Sequence, residues 1–196
     1  YRNFCVWVNG FYLGTEPSGY TGVEYNISEY LNYGGDNTIS VRVDASMEEG
    51  WFYEGAGIYR HVWLIKTEPV HVISNGTFVT TSVSEAKAKI TVAATVINEL
   101  KSIKDVAIRH TVVDAGGNAI TTATAEQFPL KPYELRDQSS ELLVTYPRLW
   151  SFENPYLYTL VTEVITDGIV SDVYKTVFGI RTIRFDAKNG FFLNGK

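Results

Sequence analysis

The chain contains little cysteine, few basic residues and no long apolar run. Its single cysteine, Cys5, cannot form an internal disulfide, and the apolar residues beside it indicate a buried, inert thiol. No apolar run approaches the ~20 residues of a membrane-spanning helix, and no signal segment is present. Lysine and arginine number 17 against 22 acidic residues, which argues against nucleic acid or an anionic membrane as a partner. The cellular compartment stays open.

Several kinds of catalytic site also have no sequence signature. The three histidines, His61, His71 and His110, show no metal-ligand spacing, and no cysteine pair joins them. No Gly-x-Ser-x-Gly elbow presents a nucleophilic serine. Gly55 and Gly57 lead into an expected strand, so the helix N-terminus of a phosphate-binding loop is missing. The sequence therefore predicts no metal, no cofactor and no catalytic residue of these classes.

Alternating apolar and polar residues dominate what is present. In residues 87–96 every second side chain is apolar and most of those between are polar, as in a strand with one solvated face. Residues 106–112 continue the same phase, with Arg109 pointing outward. His110 falls on the inward phase, which indicates a structural core histidine. Asn-Gly, Gly-Gly-Asn and Asp-Gly turn signals separate such runs, Asn75-Gly76 among them. The pattern predicts β-sandwiches.

A domain boundary is expected at Thr67–Pro69, where proline interrupts strand pairing and the aromatic content falls. The following ~115 residues hold about seven predicted strands, which suits an immunoglobulin-like sandwich. Trp150, Pro155 and Tyr158 precede or begin the strand predicted over 157–166, so we expect them to pin a corner of the core. The part before the boundary supplies about five strands and a short helical turn around residues 26–31.

The richest segment is residues 51–64, which crowds aromatic side chains, glycines and an arginine beside a predicted strand over 58–65. Residues 51–53 are Trp-Phe-Tyr, whose flat rings could stack on a ring-shaped ligand. Gly55 and Gly57 allow the backbone to take a positive φ and to turn tightly. This composition favours a binding loop over a packed core.

Five segments share their motifs with one enzyme family. Residues 55–60 are Gly-Ala-Gly-Ile-Tyr-Arg, and residues 6–10 are Val-Trp-Val-Asn-Gly. Residues 36–44 begin with Asp-Asn-Thr and continue with the alternating pattern of a strand. Residues 149–158 combine Leu-Trp-Ser with a later Pro-Tyr-Leu-Tyr, and residues 178–196 contain Phe-Gly-Ile-Arg and a terminal Gly-Phe-Phe-Leu-Asn-Gly-Lys. Together these segments resemble family 2 glycoside hydrolases, the β-galactosidase and β-glucuronidase group, over nearly the whole chain.

The resemblance implies an all-β fold, a partial jelly-roll β-sandwich followed by an immunoglobulin-like β-sandwich. It assigns residues 1–67 to the C-terminal part of a sugar-binding jelly roll, 68–184 to the immunoglobulin-like domain and 185–196 to the lead-in to a catalytic TIM barrel. The family's catalytic glutamates lie in that barrel. Residue 1 opens directly into an apolar strand, and the final Asn-Gly hairpin signal has no return strand. We therefore expect a fragment that is inactive alone.

The same resemblance implies that Glu49, Trp51 and Tyr53 help to line the substrate pocket of the parent enzyme. Arg60 and Arg181 are expected to make structural interdomain contacts through their guanidinium groups. A retaining glycosidase needs two carboxyl groups about 5 to 5.5 Å apart. Nothing in this glycine-rich loop would fix that separation between its glutamates. No residue of the chain is therefore predicted to be catalytic, and the loop glutamates are expected to be solvated.

The leading hypothesis is the non-catalytic part of a family 2 glycosidase, a β-galactosidase, whose parent hydrolyses terminal β-linked sugars with retention. Its predicted partners are carbohydrate and the missing barrel of the same chain, while homo-oligomerisation stays open. One alternative is a free-standing carbohydrate-binding module that uses residues 51–53 as a stacking platform. Another is a structural immunoglobulin-like tandem, because fold alone does not determine function.

Overall fold

The computed structural model describes residues 3–44, 46 and 57–196. Within these ranges the chain forms thirteen β-strands and one short 3-10 helix, which confirms the all-β prediction. No helix among them is long and apolar enough to cross a membrane. The chain divides into two compact units, Tyr1–Leu64 and Ile65–Lys196.

The first unit contains an antiparallel three-stranded sheet in the order β2-β1-β3. Its elements are β1 (Phe4–Val8), β2 (Phe11–Glu16), a 3-10 helix (Ser28–Tyr30) and β3 (Ile39–Val43). The 3-10 helix confirms the helical turn expected around residues 26–31.

Asn9 organises the turns of this unit. Asn9 and Gly10 have φ values of 50° and 87°, so they close the β1–β2 hairpin in the left-handed region as their Asn-Gly sequence predicts. The Asn9 side chain accepts a hydrogen bond from the Thr38 amide at 2.9 Å and donates to the Tyr30 carbonyl at 2.7 Å. It also donates to Asn37 Oδ1 at 2.8 Å. One amide side chain thereby ties the hairpin to the loop before β3.

The strand predicted over residues 58–65 is wrong. This segment has no strand assignment, and apolar side chains of both phases are exposed, including Ile58 (62%) and Trp63 (77%). A strand exists only through hydrogen bonds to a neighbouring strand, and none of the described strands of the first unit pairs with this segment. Aromatic and β-branched residues favour a strand, but they do not supply the neighbouring strand.

The second unit is a sandwich of two antiparallel sheets followed by a hairpin. One sheet has the order β4-β5-β9, and the other has the order β11-β10-β6-β7, with β8 also paired to β6. The strands are β4 (Val70–Ser84), β5 (Lys87–Asn98), β6 (Lys104–Val113), β7 (Ala119–Thr124), β8 (Phe128–Leu130), β9 (Leu135–Thr145), β10 (Tyr158–Thr166) and β11 (Ile169–Phe178). The hairpin is β12 (Ile183–Asp186) and β13 (Gly190–Leu193).

The two sheets bury the inward phase that the sequence predicts. Every second residue of β5 from Ala88 to Val96 is completely buried, as are Val106, Ile108 and Val112 of β6. At about 25 cal/mol for each Å² of apolar surface removed from water, such a strand contributes several kcal/mol to folding. The arrangement, with short turns such as Asp167-Gly168 between antiparallel strands, is an immunoglobulin-like sandwich.

The expected turn at Asn75-Gly76 is instead a bulge inside β4. Val72 pairs with Val96 and Thr77 pairs with Ala94, so four residues of β4 stand opposite Thr95 alone. Asn75 has a φ of 53°. A Cβ added to Gly76 would lie 2.7 Å from the Ile73 carbonyl oxygen. The Asn-Gly pair therefore makes a close backbone fold within a strand, not a connection between strands.

Side chains of β11 bind backbone amides of β4 in this bulge and directly before it. The Val72 amide donates to Asp172 Oδ2 at 3.0 Å, and the Asn75 amide donates to the Tyr174 hydroxyl at 3.2 Å. These bonds join the edges of the two sheets, so both amides have a hydrogen-bond partner although β4 and β11 do not pair as strands. The sandwich is thus closed on this side by side chains.

His110 lies on the inward phase, as predicted, and is completely buried. Its Nδ1 is 3.0 Å from the hydroxyl oxygen of Thr162, the residue opposite it on β10. No hydrogen-bond partner contacts Nε2 among the described residues. Burial away from water disfavours the charged ring and lowers the pKa of His110 from 6.5 to about 4. The folded unit therefore holds a neutral imidazole in its core.

This burial makes stability depend on pH. Between pH 6.5 and 4 the unfolded chain binds a proton at His110 and the folded chain does not. The free energy of unfolding therefore carries no penalty from His110 above pH 6.5, and it decreases as the pH falls from 6.5 to 4. The shift corresponds to about 3 kcal/mol. We predict that, between pH 7 and pH 4, the free energy of unfolding of a His110→Gln variant falls by about 3 kcal/mol less than that of the unmodified chain. Urea denaturation at each pH measures it. The control is His71→Gln, whose ring bonds the Glu68 carbonyl near the surface. Equal pH slopes for all three proteins would contradict this account.

Candidate functional site

The predicted pocket residues Glu49, Trp51 and Tyr53 lie outside the described residues, and their role stays a prediction. The structure describes only the segment that follows them. Gly57 has a φ of 113°, in the left-handed region that favours glycine, as predicted for this position. The Tyr59 hydroxyl donates to the Gly19 carbonyl at 2.7 Å, which fastens this segment to the chain after β2.

Arg60 is exposed, and its guanidinium carbon lies 5.7 Å from the centre of the Tyr59 ring. This is the outer distance range of a cation–π contact, and at an exposed site it contributes on the order of 0.5–1 kcal/mol. The guanidinium thus presents its donors to the surroundings. Its interdomain role remains a prediction.

A better-defined site is the corner where residue 150 meets the end of β11. The Trp150 amide donates to the Ile180 carbonyl at 2.8 Å, and the Arg181 guanidinium carbon lies 4.9 Å from the Trp150 ring centre. Gly179 runs directly against the indole, since a Cβ added there would lie 3.0 to 3.2 Å from three Trp150 atoms. We call Trp150, Gly179, Arg181 and Asn194 the Trp150 corner.

Asn194 was expected only as part of a hairpin turn, and its bridging role was missed. Asn194 and Gly195 do form a turn, with φ values of 52° and 80°. The Asn194 side chain also accepts from the Thr182 amide at 3.0 Å and donates to the Trp150 carbonyl at 2.9 Å. It thereby ties the β12–β13 hairpin to the sandwich. An Asn-Gly pair predicts a turn, but it gives no indication that the asparagine side chain binds a carbonyl 44 residues away.

Tyr158, the first residue of β10, supports the same end of the sandwich. It is buried, and its hydroxyl accepts a hydrogen bond from the Arg148 amide at 2.9 Å. A tyrosine at this position that bonds the backbone upstream is a tyrosine corner of immunoglobulin-like domains. Burial raises the pKa of Tyr158, so the hydroxyl stays protonated. The corner roles expected of Trp150 and Tyr158 are confirmed, whereas Pro155 is exposed.

Two further exposed arginines stack on rings in this unit. Arg148 lies 4.0 Å from the Tyr156 ring centre, and Arg184 lies 3.9 Å from that of Phe192. Arg184 also pairs with Asp186 at 3.0 Å. With Arg181 they give three flat guanidinium groups, each held on an aromatic face and each belonging to an exposed residue.

The carboxyl groups whose pKa moves in the described chain all move downward. A bidentate pair with Arg109, at 2.6 and 3.0 Å, lowers the pKa of Glu163, and a hydrogen bond from Lys104 lowers that of Asp167. Amides of neighbouring turn residues lower the pKa values of Asp114 and Asp186. These groups are stabilised as carboxylates. A general acid needs the opposite shift.

The chain belongs to glycosyl hydrolases family 2, whose family model matches residues 70–181, more than half of its length. It is 41% identical to the β-galactosidase BoGH2A of Bacteroides ovatus, and that alignment covers all of this chain and 23% of the relative. A family 2 member from Bacteroides cellulosilyticus superposes with a TM-score of 0.94 at 38% identity, covering all of this chain and 27% of that one.

A β-glucuronidase from Bacteroides uniformis superposes with a TM-score of 0.86 at 31% identity, covering all of this chain and 25% of that one. The chain thus spans about a quarter of the length of these relatives. The family predicted from the sequence motifs is confirmed.

The contact between Gly179 and Trp150 is directly testable. We predict that Gly179→Ala lowers the free energy of unfolding by about 1–3 kcal/mol, because the new methyl group overpacks the indole. Urea denaturation measures the effect. Gly22→Ala is the control, since a Cβ there meets nothing within 4 Å. An unchanged stability in Gly179→Ala would show that the indole moves aside freely.

Proposed function

We propose that this chain is the non-catalytic part of a longer β-galactosidase that hydrolyses terminal β-linked sugars with retention. The observation that carries the proposal is the 41% identity to a β-galactosidase along the entire chain. β-Glucuronidases to which the chain is similar have lower identities, such as 35% and 31%, and for this reason we favour galactose over glucuronic acid as the sugar.

The chemistry of retention supports a protein in which the catalytic carboxyl groups lie apart from this chain. The reaction needs one carboxyl group held protonated and a second, ionised one about 5 to 5.5 Å away. The described carboxyl groups with shifted pKa values are stabilised in the ionised form by arginine, lysine, a serine hydroxyl or backbone amides. We therefore assign the acid and the nucleophile to the part of the enzyme that lies outside this chain.

The role left to the second unit is architectural. Two sheets with a fully buried interior make a stiff body, and the Trp150 corner fixes the hairpin that follows it through Asn194. Arg181 presents an exposed guanidinium already aligned on the Trp150 ring. We propose that this group, like that of Arg60, binds a carboxylate or a carbonyl of the neighbouring catalytic domain.

We also propose a role in substrate binding for three residues of the loop before Gly57. Glu49, Trp51 and Tyr53 would add one wall to the substrate pocket, with the rings stacking on the apolar face of the sugar and the carboxylate accepting hydrogen bonds from its hydroxyls.

Activity measurements test whether catalysis requires the part of the protein outside this chain. We predict that the 196-residue chain does not hydrolyse p-nitrophenyl β-galactopyranoside, while the complete gene product does so and releases the β-anomer first, as followed by proton NMR. Turnover by the chain alone, or release of the α-anomer by the complete protein, would overturn the proposal.

Arg181 offers a separate test of the interdomain contact. We predict that Arg181→Ala lowers the melting temperature of the complete protein more than that of the isolated chain, because only the former loses a contact between domains. Arg136→Ala is the matched control, since its guanidinium carbon also lies over a ring, 4.3 Å from the centre of Phe128. Equal shifts in both proteins would assign Arg181 a role within this unit only.

A further inference from the structure

Residues 193–196 form a tight turn that closes the first pair of a further strand ladder. Asn194 and Gly195 have φ values of 52° and 80°, and a positive φ at both central residues is typical of the two-residue type I′ turn of β-hairpins. Across this turn the Leu193 amide donates to the Lys196 carbonyl at 2.9 Å, and the Lys196 amide donates to the Leu193 carbonyl at 3.1 Å. Such a reciprocal pair is a hydrogen-bonded pair of an antiparallel ladder.

The backbone of β13 continues this ladder along its free side. Phe192 stands opposite Arg184 of β12. In an antiparallel pair, the backbone groups of successive residues point alternately to the two sides of a strand. Because Leu193 bonds away from β12, Phe192 bonds to β12, and Phe191 presents its amide and carbonyl to the free side. The second residue after Lys196 would then stand opposite Phe191.

The outer edge of β12 offers a comparison. Phe185 pairs with Phe191, so by the same alternation its amide points to the outer side of β12. Neither outer edge of the hairpin pairs with another described strand. Among the described residues, however, the free side of β13 carries the reciprocal pair of Leu193 and Lys196, and the outer side of β12 carries no such pair. The structure therefore has the start of a third strand beside β13.

The packing of the hairpin also suits a larger sheet. A two-stranded hairpin is marginally stable in water, whereas three strands with an apolar face are stable by themselves. Phe185 and Phe191 share one face with ring centres 5.3 Å apart, and they are 79% and 47% exposed. On the other face the Arg184 guanidinium carbon lies 3.9 Å from the Phe192 ring centre. A third strand beside β13 would widen the apolar face.

We propose that the free edge of β13 binds the segment that follows Lys196 in the longer protein, as an antiparallel third strand. This rests on the proposed function, because it takes the chain as part of a longer enzyme, as in the β-galactosidase relative of which the alignment covers 23%. The third strand starts from a turn that Asn194 fastens to the Trp150 carbonyl. Hydrogen bonds, not a flexible linker, then set the path from the sandwich to the rest of the enzyme.

Amide hydrogen exchange, resolved to single residues by mass spectrometry, tests the third strand in the complete gene product and in the 196-residue chain. We expect the Phe191 amide to exchange at least tenfold more slowly in the complete protein, because it gains a hydrogen bond there. The Phe185 amide is the matched control. It belongs to the partner of Phe191 on the same face, but it points to the other edge of the hairpin, so we expect its exchange to stay fast.

A turn variant gives a second readout. We predict that Gly195→Val lowers the melting temperature of the complete protein at least twice as much as that of the isolated chain. The reason is that a β-branched residue resists a positive φ, and only the complete protein has a strand that this turn aligns. Gly117→Val is the control, since Gly117 also has a positive φ, 85°, and a Cβ there also meets nothing within 4 Å. It lies in the turn between β6 and β7, and we expect equal shifts in both proteins.

Each outcome decides the proposal. Slower exchange at Phe191 but not at Phe185, together with the unequal effect of Gly195→Val, supports it. Unchanged exchange at Phe191, equal slowing at both residues, or equal effects of Gly195→Val on both proteins overturns it. Protection of Phe191 that grows with the concentration of the isolated chain would place a second copy at this edge and also overturns it. None of these results touches the proposed function, which depends on hydrolysis of a small β-galactoside by the complete protein.

Discussion

The burial of the inward face of β5 between the two sheets of the second unit is the contact on which the rest of that unit depends. Five alternate residues of β5 are completely buried against the other sheet. Moving the register by one residue would expose all five, so the packing determines both the faces and the pairing of β4 and β9. The Trp150 corner and the side-chain bonds from β11 to β4 act only once the sheets are in place.

That central contact is also the part of the fold that the sequence predicts best. A period of two residues along 87–96 and 106–112 identifies the faces without any knowledge of the partner strands. It even identifies His110 as a core residue. Two local predictions from the sequence are wrong, and at both places the structure depends on the neighbouring strand. Residues 58–65 have strand-like composition but no strand beside them among the described residues. Asn75-Gly76 has a turn composition, yet a bulge in β4 uses the same backbone freedom.

The candidate site was less accessible to sequence reasoning for a related reason. Arg181 and Trp150 could be singled out from their motifs, but Asn194 joins Thr182 to Trp150 across 44 residues of chain. A short amide side chain gives no sign of such a partner.

Under the proposed function, the catalytic chemistry lies in a part of the protein outside this chain. The described carboxylates with lowered pKa values are held by Arg109, Lys104 and turn amides, which is the pattern of groups that stabilise a fold. The buried interior of the sandwich and the hairpin that Asn194 ties to it suit a body that would position a catalytic domain. This explains how a chain can belong to a hydrolase family and carry no catalytic pair in its described part.

Sequencing the coding DNA on both sides of this segment is the first experiment to make, because it shows whether a catalytic domain accompanies this chain. We expect the reading frame to continue past Lys196 into roughly 300 residues with the alternating strand and helix pattern of a barrel, with glutamates at strand ends. A stop codon directly after Lys196 would contradict it.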